Sequence, residues 1–401
     1  MDASIRGEVA SIRRVAANPL AGLRVALVHD WLTGMRGGEK CLEVLCQAFP
    51  DATLHTLIHR RGALSPSIEA MDIRTSPLQR LPRVHDHYRK LLPIMPMAAR
   101  SWRPREVDLV VSLSHCVAKA VRPPAGVPHV CYCFTPMRYA WDGRDAYLES
   151  WADRPIRRAL AGSLLDGLRS WDRATSERVS YFVAISETIR GRIDRCYGRD
   201  SRVIPPPVDA DFYTPAPLPR EPFYLVVSAL VPYKKVEQAV AACTATGREL
   251  VVIGSGPERA RLEKDAGPTV RFLGWQPDEV IRDHYRRCRA LLFPGEEDFG
   301  IVPVEAMACG APVIALDAGG AAETIDPAAG RLYPEPTAGG LLAAIAAWEA
   351  EGCPHDPARA RSRAEGYALP VFRRRLLGHL ADVLAEKGRG HGAIPAPHIP
   401  R

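Results

Sequence analysis

Eight short apolar runs punctuate the chain: RVALV at 24, VDLVVS at 107, HVCYC at 129, YFVAIS at 181, FYLVVS at 223, ELVVIG at 249, ALLFP at 290 and APVIAL at 311. Stretches with helical periodicity separate them. Strands apolar on both faces, alternating with helices, predict parallel sheets covered by helices on each side. The pattern breaks at VIPPPVDADFYTPAPLPREP, 203 to 222, where clustered prolines can neither continue a helix nor occupy a central strand. That break reads as a linker between two doubly wound α/β domains of similar size, 22–208 and 209–368. Residues 1–21 read as a poorly ordered leader, LPVFRRRLLGHLADVLAEK as a final helix over 369–388, and the Gly- and Pro-rich remainder, 389–401, as a disordered tail.

Composition narrows the function classes. A net charge of +7 over 401 residues is too mild for a dedicated nucleic-acid binder unless concentrated on one face. Part of it is concentrated: arginines and one lysine crowd 60–105, interleaved with Leu91, Leu92, Ile94, Met95, Met97 and Trp102. The ten cysteines contain no C-x-x-C pair, and Cys131 and Cys133 share one strand face, so buried thiols in a reducing cytoplasm are expected. No run of eighteen apolar residues and no secretory h-region occur.

In open α/β sheets ligands sit beyond the carboxyl ends of the strands. The loop after ALLFP is therefore the first place to look. In FPGEEDFGIVPVEAMACGAPVIA, 293 to 315, Pro303 suits a first helical turn and Gly310 a helix end, which puts Glu297 in the loop and Glu305 in the helix. The backbone N–H groups of Gly300, Ile301 and Val302 lie at a helix N-terminus, where the dipole favours an anion. Carboxylates accept bonds from sugar hydroxyls and N–H groups meet phosphate oxygens, so the segment suits a ligand both hydroxylated and phosphorylated. Taken alone, two acids at this spacing read first as a helix-start charge and a solvated side chain.

The same segment, with GGAAETI at 319, resembles the donor-site signature of glycosyltransferase family 4, retaining enzymes of GT-B fold with two Rossmann-like domains facing across a cleft. VHDWLTGMRGGEKCLEVL at 28, LVVSALVPYKKVEQAV at 225 and VVIGSGPERARLE at 251, followed by VRFLGW at 270, agree with that family in order. CYCFTPMRYAWD at 131 resembles a bacterial mannosyltransferase-like branch. The resemblance runs from about Arg24 to Leu384.

It implies that 22–208 binds the acceptor and 209–368 the nucleotide sugar, with the final helix able to pack back on the first domain. Glu297 would contact the donor sugar's hydroxyls and Glu305 hold the ribose. Lys234 would bind the diphosphate, where a fixed cation stabilises the charge that grows as the glycosidic bond breaks. Gly37 and Gly38 would bring backbone N–H groups to the same diphosphate from the other domain, and Lys235, Gly254, Phe299, Gly300, Ile301, Gly319, Gly320 and Glu323 complete the donor set. His29, Asp30, Phe134, Thr135 and Arg138 are expected to line the acceptor side. The leaving phosphate is thought to help activate the acceptor in such enzymes, so neither a protein base nor a metal or other cofactor is implied.

Two positions depart from that pattern: many relatives carry arginine where this chain has Ala229 and histidine where it has Phe134. A non-catalytic GT-B protein that binds a sugar nucleotide or a partner enzyme is therefore the alternative, and a sugar-nucleotide epimerase on the same frame is a third reading. DAD at 209 mimics a metal-binding Asp-x-Asp but sits in the proline-rich linker, GSGPER at 254 lacks the third glycine of a dinucleotide fingerprint, and the histidines, His115 among them, form no metal-ligand pattern.

The expected activity is transfer of a hexose, mannose from GDP-mannose, to a glycan or lipid-linked glycan in cell-surface polysaccharide synthesis, in the cytoplasm at the inner membrane face. Residues 74–105, basic and with Leu, Met and Trp expected to be exposed, would touch an anionic membrane, or else form an ordinary solvated helix face with a buried stripe. No nucleic-acid partner is expected.

Overall fold

The computed structural model describes residues 18–149 and 155–389, so the expectations for the first 17 residues and for 390–401 fall outside the described residues. The chain forms two compact units, one reaching to Pro205 and resuming at Arg373, the other spanning Pro206–Phe372. The sequence placed the boundaries at 208/209 and 368/369. The difference at the second boundary arises because one unbroken helix, Leu369–Arg389, runs through it. From the first unit Tyr181 Oη donates to Glu386 of that helix at 2.9 Å, and Arg202 pairs with Asp382 at 3.2 Å.

The first unit holds seven parallel strands: β1 (Val25–His29), β2 (Thr53–Thr56), β3 (Asp72–Thr75), β4 (Leu109–Ser114), β5 (His129–Cys133), β6 (Tyr181–Ala184) and β7 (Ser201–Val203). Their order is β3-β2-β1-β4-β5-β6-β7. Every residue of β1, β4 and β5 is buried, as apolar runs covered on both faces require, whereas the edge strand β3, DIRT, is largely exposed. The strand order reverses between β1 and β4, so the crevice of this sheet lies beyond their carboxyl ends.

The second unit repeats the design with β8 (Tyr224–Val227), β9 (Leu250–Ile253), β10 (Val270–Gly274), β11 (Ala290–Phe293), β12 (Val313–Leu316) and β13 (Gly330–Tyr333), ordered β10-β9-β8-β11-β12-β13. Its switch point falls between β8 and β11.

The basic stretch corrects one expectation. Trp102 is 1% exposed and donates its Nε1–H to the Thr56 carbonyl, Met95 is buried, and Leu91 and Leu92 pack against the same core; of that apolar set Met97, 67% exposed, and Ile94 remain outside. Trp102 offers too much apolar surface for solvent when a core lies beside it, and its N–H finds a partner there.

Elsewhere in this core the Lys119 ammonium pairs with Asp172, whose other oxygen accepts from Trp141 Nε1 at 2.9 Å and Tyr197 Oη at 2.7 Å. Nine of the ten cysteines are buried and all ten are free thiols.

Two buried histidines make the first unit acid-sensitive. His129 is fully buried, Nδ1 3.1 Å from the Arg178 carbonyl and Nε2 2.8 Å from Ser112 Oγ, and burial pushes its pKa down to about 4 against that carbonyl's pull. His55 falls to about 4 through burial and then the charge of Arg74. The unfolded chain binds these protons near pH 6.5, so the stabilisation is complete above that pH and is lost as pH falls from 6.5 towards 4. Each site accounts for about 3 kcal/mol over the whole window. Urea midpoints should fall steadily across it and less steeply in His129→Asn.

Candidate functional site

In the second unit the residues after β8 and β11 flank the switch point. The Lys234 ammonium, in the turn after β8, forms an ion pair with Glu297 Oε1, in the loop after β11. Both side chains are about four-fifths withdrawn from solvent, at 16% and 20% exposure. Lys234 also stands 5.4 Å from the centroid of the Tyr233 ring. One cation and one carboxylate are thereby fixed side by side where an α/β sheet receives its ligand.

Glycines hold the surrounding loops at backbone contact. Gly320 donates its N–H to the Glu297 carbonyl at 2.8 Å, and a Cβ there would stand 2.2 Å from Phe299 Cα. Gly319 has φ +59°, and a Cβ on it would meet the Glu297 carbonyl oxygen at 2.3 Å. Gly295 lies against the Lys234 carbonyl in the same way, and Gly254, at φ +136°, against that of Ser228. The loops after β8, β9, β11 and β12 therefore form one packed surface around the pair.

Gly300, at φ +78°, precedes the helix Ile301–Ala308, whose first turn has no side-chain cap. Its N-terminal amides stay available to an acceptor group. Phe299 is buried and Ile301 half-buried beside it. Glu305 sits in the second turn of that helix, 7% exposed, and accepts from Tyr285 Oη at 3.3 Å. That removes the reading of Glu305 as a solvated side chain.

Lys235 lies apart from this group: it is exposed, at φ +55°, with Nζ 3.9 Å from Glu237. Glu323 is half-buried in the short helix Gly319–Thr324, and its carbonyl accepts from Arg363 at 2.6 Å. Ala229 is exposed in the turn after β8.

In the first unit the switch-point crevice gathers residues from the ends of β1, β4 and β5. His29 is buried, with Nε2 3.5 Å from the buried Glu39 of the helix Gly37–Ala48. A Cβ on Gly38 would touch Phe134 at 3.3 Å and His29 at 3.5 Å, whereas nothing stands within 4 Å of one on Gly37. Phe134 and Thr135 are half-buried in the turn after β5, with Arg138 just beyond.

Asp30 corrects the expectation of a lining role. It is fully buried, and its oxygens accept four backbone N–H groups, those of His115, Cys116, Val117 and Ala118, at 2.6 to 3.0 Å. A carboxylate so committed shapes the turn after β4 and has no capacity left for a ligand.

What the sequence passed over is His115, on that turn. Its Nδ1 lies 3.1 Å from Asp30 Oδ2, its ring packs edge-on to Trp31 at 4.4 Å and stands 6.3 Å from Phe134, and its side chain is 31% exposed. The Asp30 carboxylate beside Nδ1 favours a proton on that nitrogen by its charge, which leaves the lone pair on Nε2. Burial depresses the imidazole below its ordinary value against the pull of Asp30, and so keeps it neutral. The signal was available: His115 directly follows a strand at the switch point, and Phe134 is where a histidine was missing.

Family models place these features. The model described as Glycosyltransferase Family 4 matches residues 35–212, and that for Glycosyl transferases group 1 matches 213–367. The chain belongs to glycosyltransferase family 4.

Curated relatives of this family 4 chain include a GDP-mannose-dependent alpha-mannosyltransferase of Mycobacterium tuberculosis, 32% identical over 172 residues, 43% of this chain and 42% of the relative. A GDP-mannose-dependent alpha-(1-6)-phosphatidylinositol monomannoside mannosyltransferase of the same organism is 29% identical over 194 residues, 41% of this chain and 50% of the relative. The chain thus aligns with half or less of these relatives' length.

Solved structures share the two-domain GT-B fold. Anabaena HepE in complex with UDP and glucose superposes with TM-score 0.63 at 17% identity, covering 90% of this chain and 99% of that one. The lipopolysaccharide outer core galactosyltransferase WaaB gives 0.64 at 15%, covering 90% and 100%.

Proposed function

We propose that this family 4 chain is a retaining glycosyltransferase that moves mannose from GDP-mannose to a glycan or lipid-linked glycan during cell-surface polysaccharide synthesis. The observation that carries this is the Lys234–Glu297 pair, fixed by the Gly320 clamp at the switch point of the second sheet. A nucleotide sugar has a diphosphate for the cation and sugar hydroxyls for the carboxylate, and the buried Glu305 suits the ribose.

In the reaction the bond from the sugar's anomeric carbon to the diphosphate breaks and one to the acceptor oxygen forms on the same face. The acceptor's proton passes to the released diphosphate. Lys234, with the amides of Ile301 and Val302, stabilises the charge that accumulates there, so no metal enters the scheme. The choice of mannose follows the mycobacterial relatives' names. The acceptor belongs on the first unit, where the neutral His115 offers Nε2 to a hydroxyl.

No helix among the described residues is long and apolar enough to cross a membrane, and work at the inner face of the cytoplasmic membrane is part of this reading. Ala229 and Phe134 favour a second reading, a GT-B protein that binds a sugar nucleotide without turnover. Titration of the full chain with GDP-, UDP-, ADP- and dTDP-sugars in EDTA tests the proposal. GDP-mannose should bind best; no binding by any of them overturns both readings.

A further inference from the structure

The amino-terminal edge of the first sheet, opposite the crevice, carries a feature that the transfer reaction does not use. Arg103, Arg105 and Glu106 lead into β4, Arg122, Pro123 and Pro124 lead towards β5, and the two segments line an open, shallow hollow of about 390 Å³. The Arg122 N–H donates to the Trp102 carbonyl at 3.2 Å and ties the walls together. Arg178, in the turn before β6, is anchored beside them by a 2.8 Å bond to the Ala120 carbonyl.

The charges here are uncompensated. Among the described residues, Arg100, Arg103, Arg105 and Arg122 have no carboxylate partner, and Arg122 Nε is buried without any hydrogen-bond acceptor. The nearby Asp108 is engaged by Arg24 at 2.9 Å, which leaves Glu106 as the one acidic group of the wall. The Arg178 guanidinium is held below its ordinary value by burial and then by the fields of Arg122 and Arg100. Arg100, Arg103 and Arg105 are exposed, whereas Arg122 and Arg178 are half-buried beside them; like charges gathered around those two cost stability unless an anion joins them.

We propose that this hollow is a binding site for a phosphate group, distinct from the donor site of the second unit. Guanidinium forks match phosphate oxygens two at a time, and a ligand that inserts between Arg103, Arg105 and Arg122 satisfies the orphaned Arg122 Nε. Such a group arrives either on an anionic lipid headgroup or as a soluble phosphate ester or diphosphate. Met97, 67% exposed one turn before Arg100, sets an apolar side chain near the cationic rim and favours the lipid source.

The test uses the full chain in the Lys234→Ala background, which removes the donor-site cation. Binding is measured to vesicles of phosphatidylcholine with and without about one-third phosphatidylglycerol, and separately to inorganic pyrophosphate, for the parent and for Arg103→Ala/Arg105→Ala/Arg122→Ala. A charge-assisted bond is worth about tenfold in affinity, so the triple variant should lose at least that factor. Arg80→Ala/Arg83→Ala, outside the hollow, should change binding by less than about twofold. The triple variant should unfold at the same or a higher temperature, because it relieves repulsion.

Loss on anionic vesicles alone identifies a lipid headgroup; loss on pyrophosphate identifies a soluble ligand; either supports the site. The inference is overturned if the parent binds neither probe, or if the triple variant binds as the parent does. Arg122→Lys keeps the charge but not the fork, and retention of full affinity by that variant also overturns it. GDP-mannose titration with Lys234 intact should be the same with and without the triple substitution, so failure of the donor assignment is read independently.

Discussion

Glu297→Gln should lower turnover of GDP-mannose by about a thousandfold while leaving the chain folded, in line with the loss of a preorganised electrostatic group at a reacting centre. The substitution is isosteric and removes one half of the pair with Lys234. That pair is partly solvated, so its loss should change stability by about 1 kcal/mol or less. Lys234→Ala should cost about a hundred- to a thousandfold by a different route, because it strips the cation from the leaving diphosphate. The two are separable: Lys234→Ala should weaken binding of GDP alone, whereas Glu297→Gln, which addresses the sugar, should leave GDP affinity nearly unchanged. Steady-state turnover and calorimetric titration with GDP check both.

Gly320→Ala should be as damaging through geometry alone. Its Cβ would stand 2.2 Å from Phe299 Cα and 2.3 Å from the Phe299 carbonyl oxygen, both backbone atoms that cannot rotate away. The loop carrying Glu297 must move, and the Gly320 N–H to Glu297 carbonyl bond of 2.8 Å goes with it. Overpacking of this kind costs about 3 kcal/mol, so the melting temperature should fall along with donor affinity. Gly37→Ala is the contrast, since nothing lies within 4 Å of its Cβ position: the free protein should be as stable as wild type. Thermal unfolding of the two variants beside wild type measures the difference.

Strands with a strong apolar run were legible because burial on both faces leaves no polar alternation; β1, β4, β5, β8, β9, β11 and β12 all show it. The edge and short strands were not. DIRT of β3 is largely exposed, SRV of β7 has three residues, and GRLY of β13 opens with a glycine, so none offers a periodic signal; register against a neighbour creates them.

The same division runs through the site. Glu297, Lys234 and Gly320 lie in loops directly after apolar strands, and topology brings them to one switch point. Sequence spacing could not show that Glu305 is buried beside Tyr285, or that all of Asp30's bonding capacity goes to four amides 85 to 88 residues away. Trp102 misled because a tryptophan among arginines fits a membrane surface as readily as a core that only the fold reveals. His115 went unassigned because its importance comes from Asp30, a partner distant in sequence.

The most direct measurement is proton NMR of the mannose that the full chain releases from GDP-mannose in EDTA, with Glu297→Gln as the blank. α-Mannose should appear first, ahead of mutarotation, and the blank should release it about a thousandfold more slowly. Release of β-mannose, or equal release by Glu297→Gln, would contradict it.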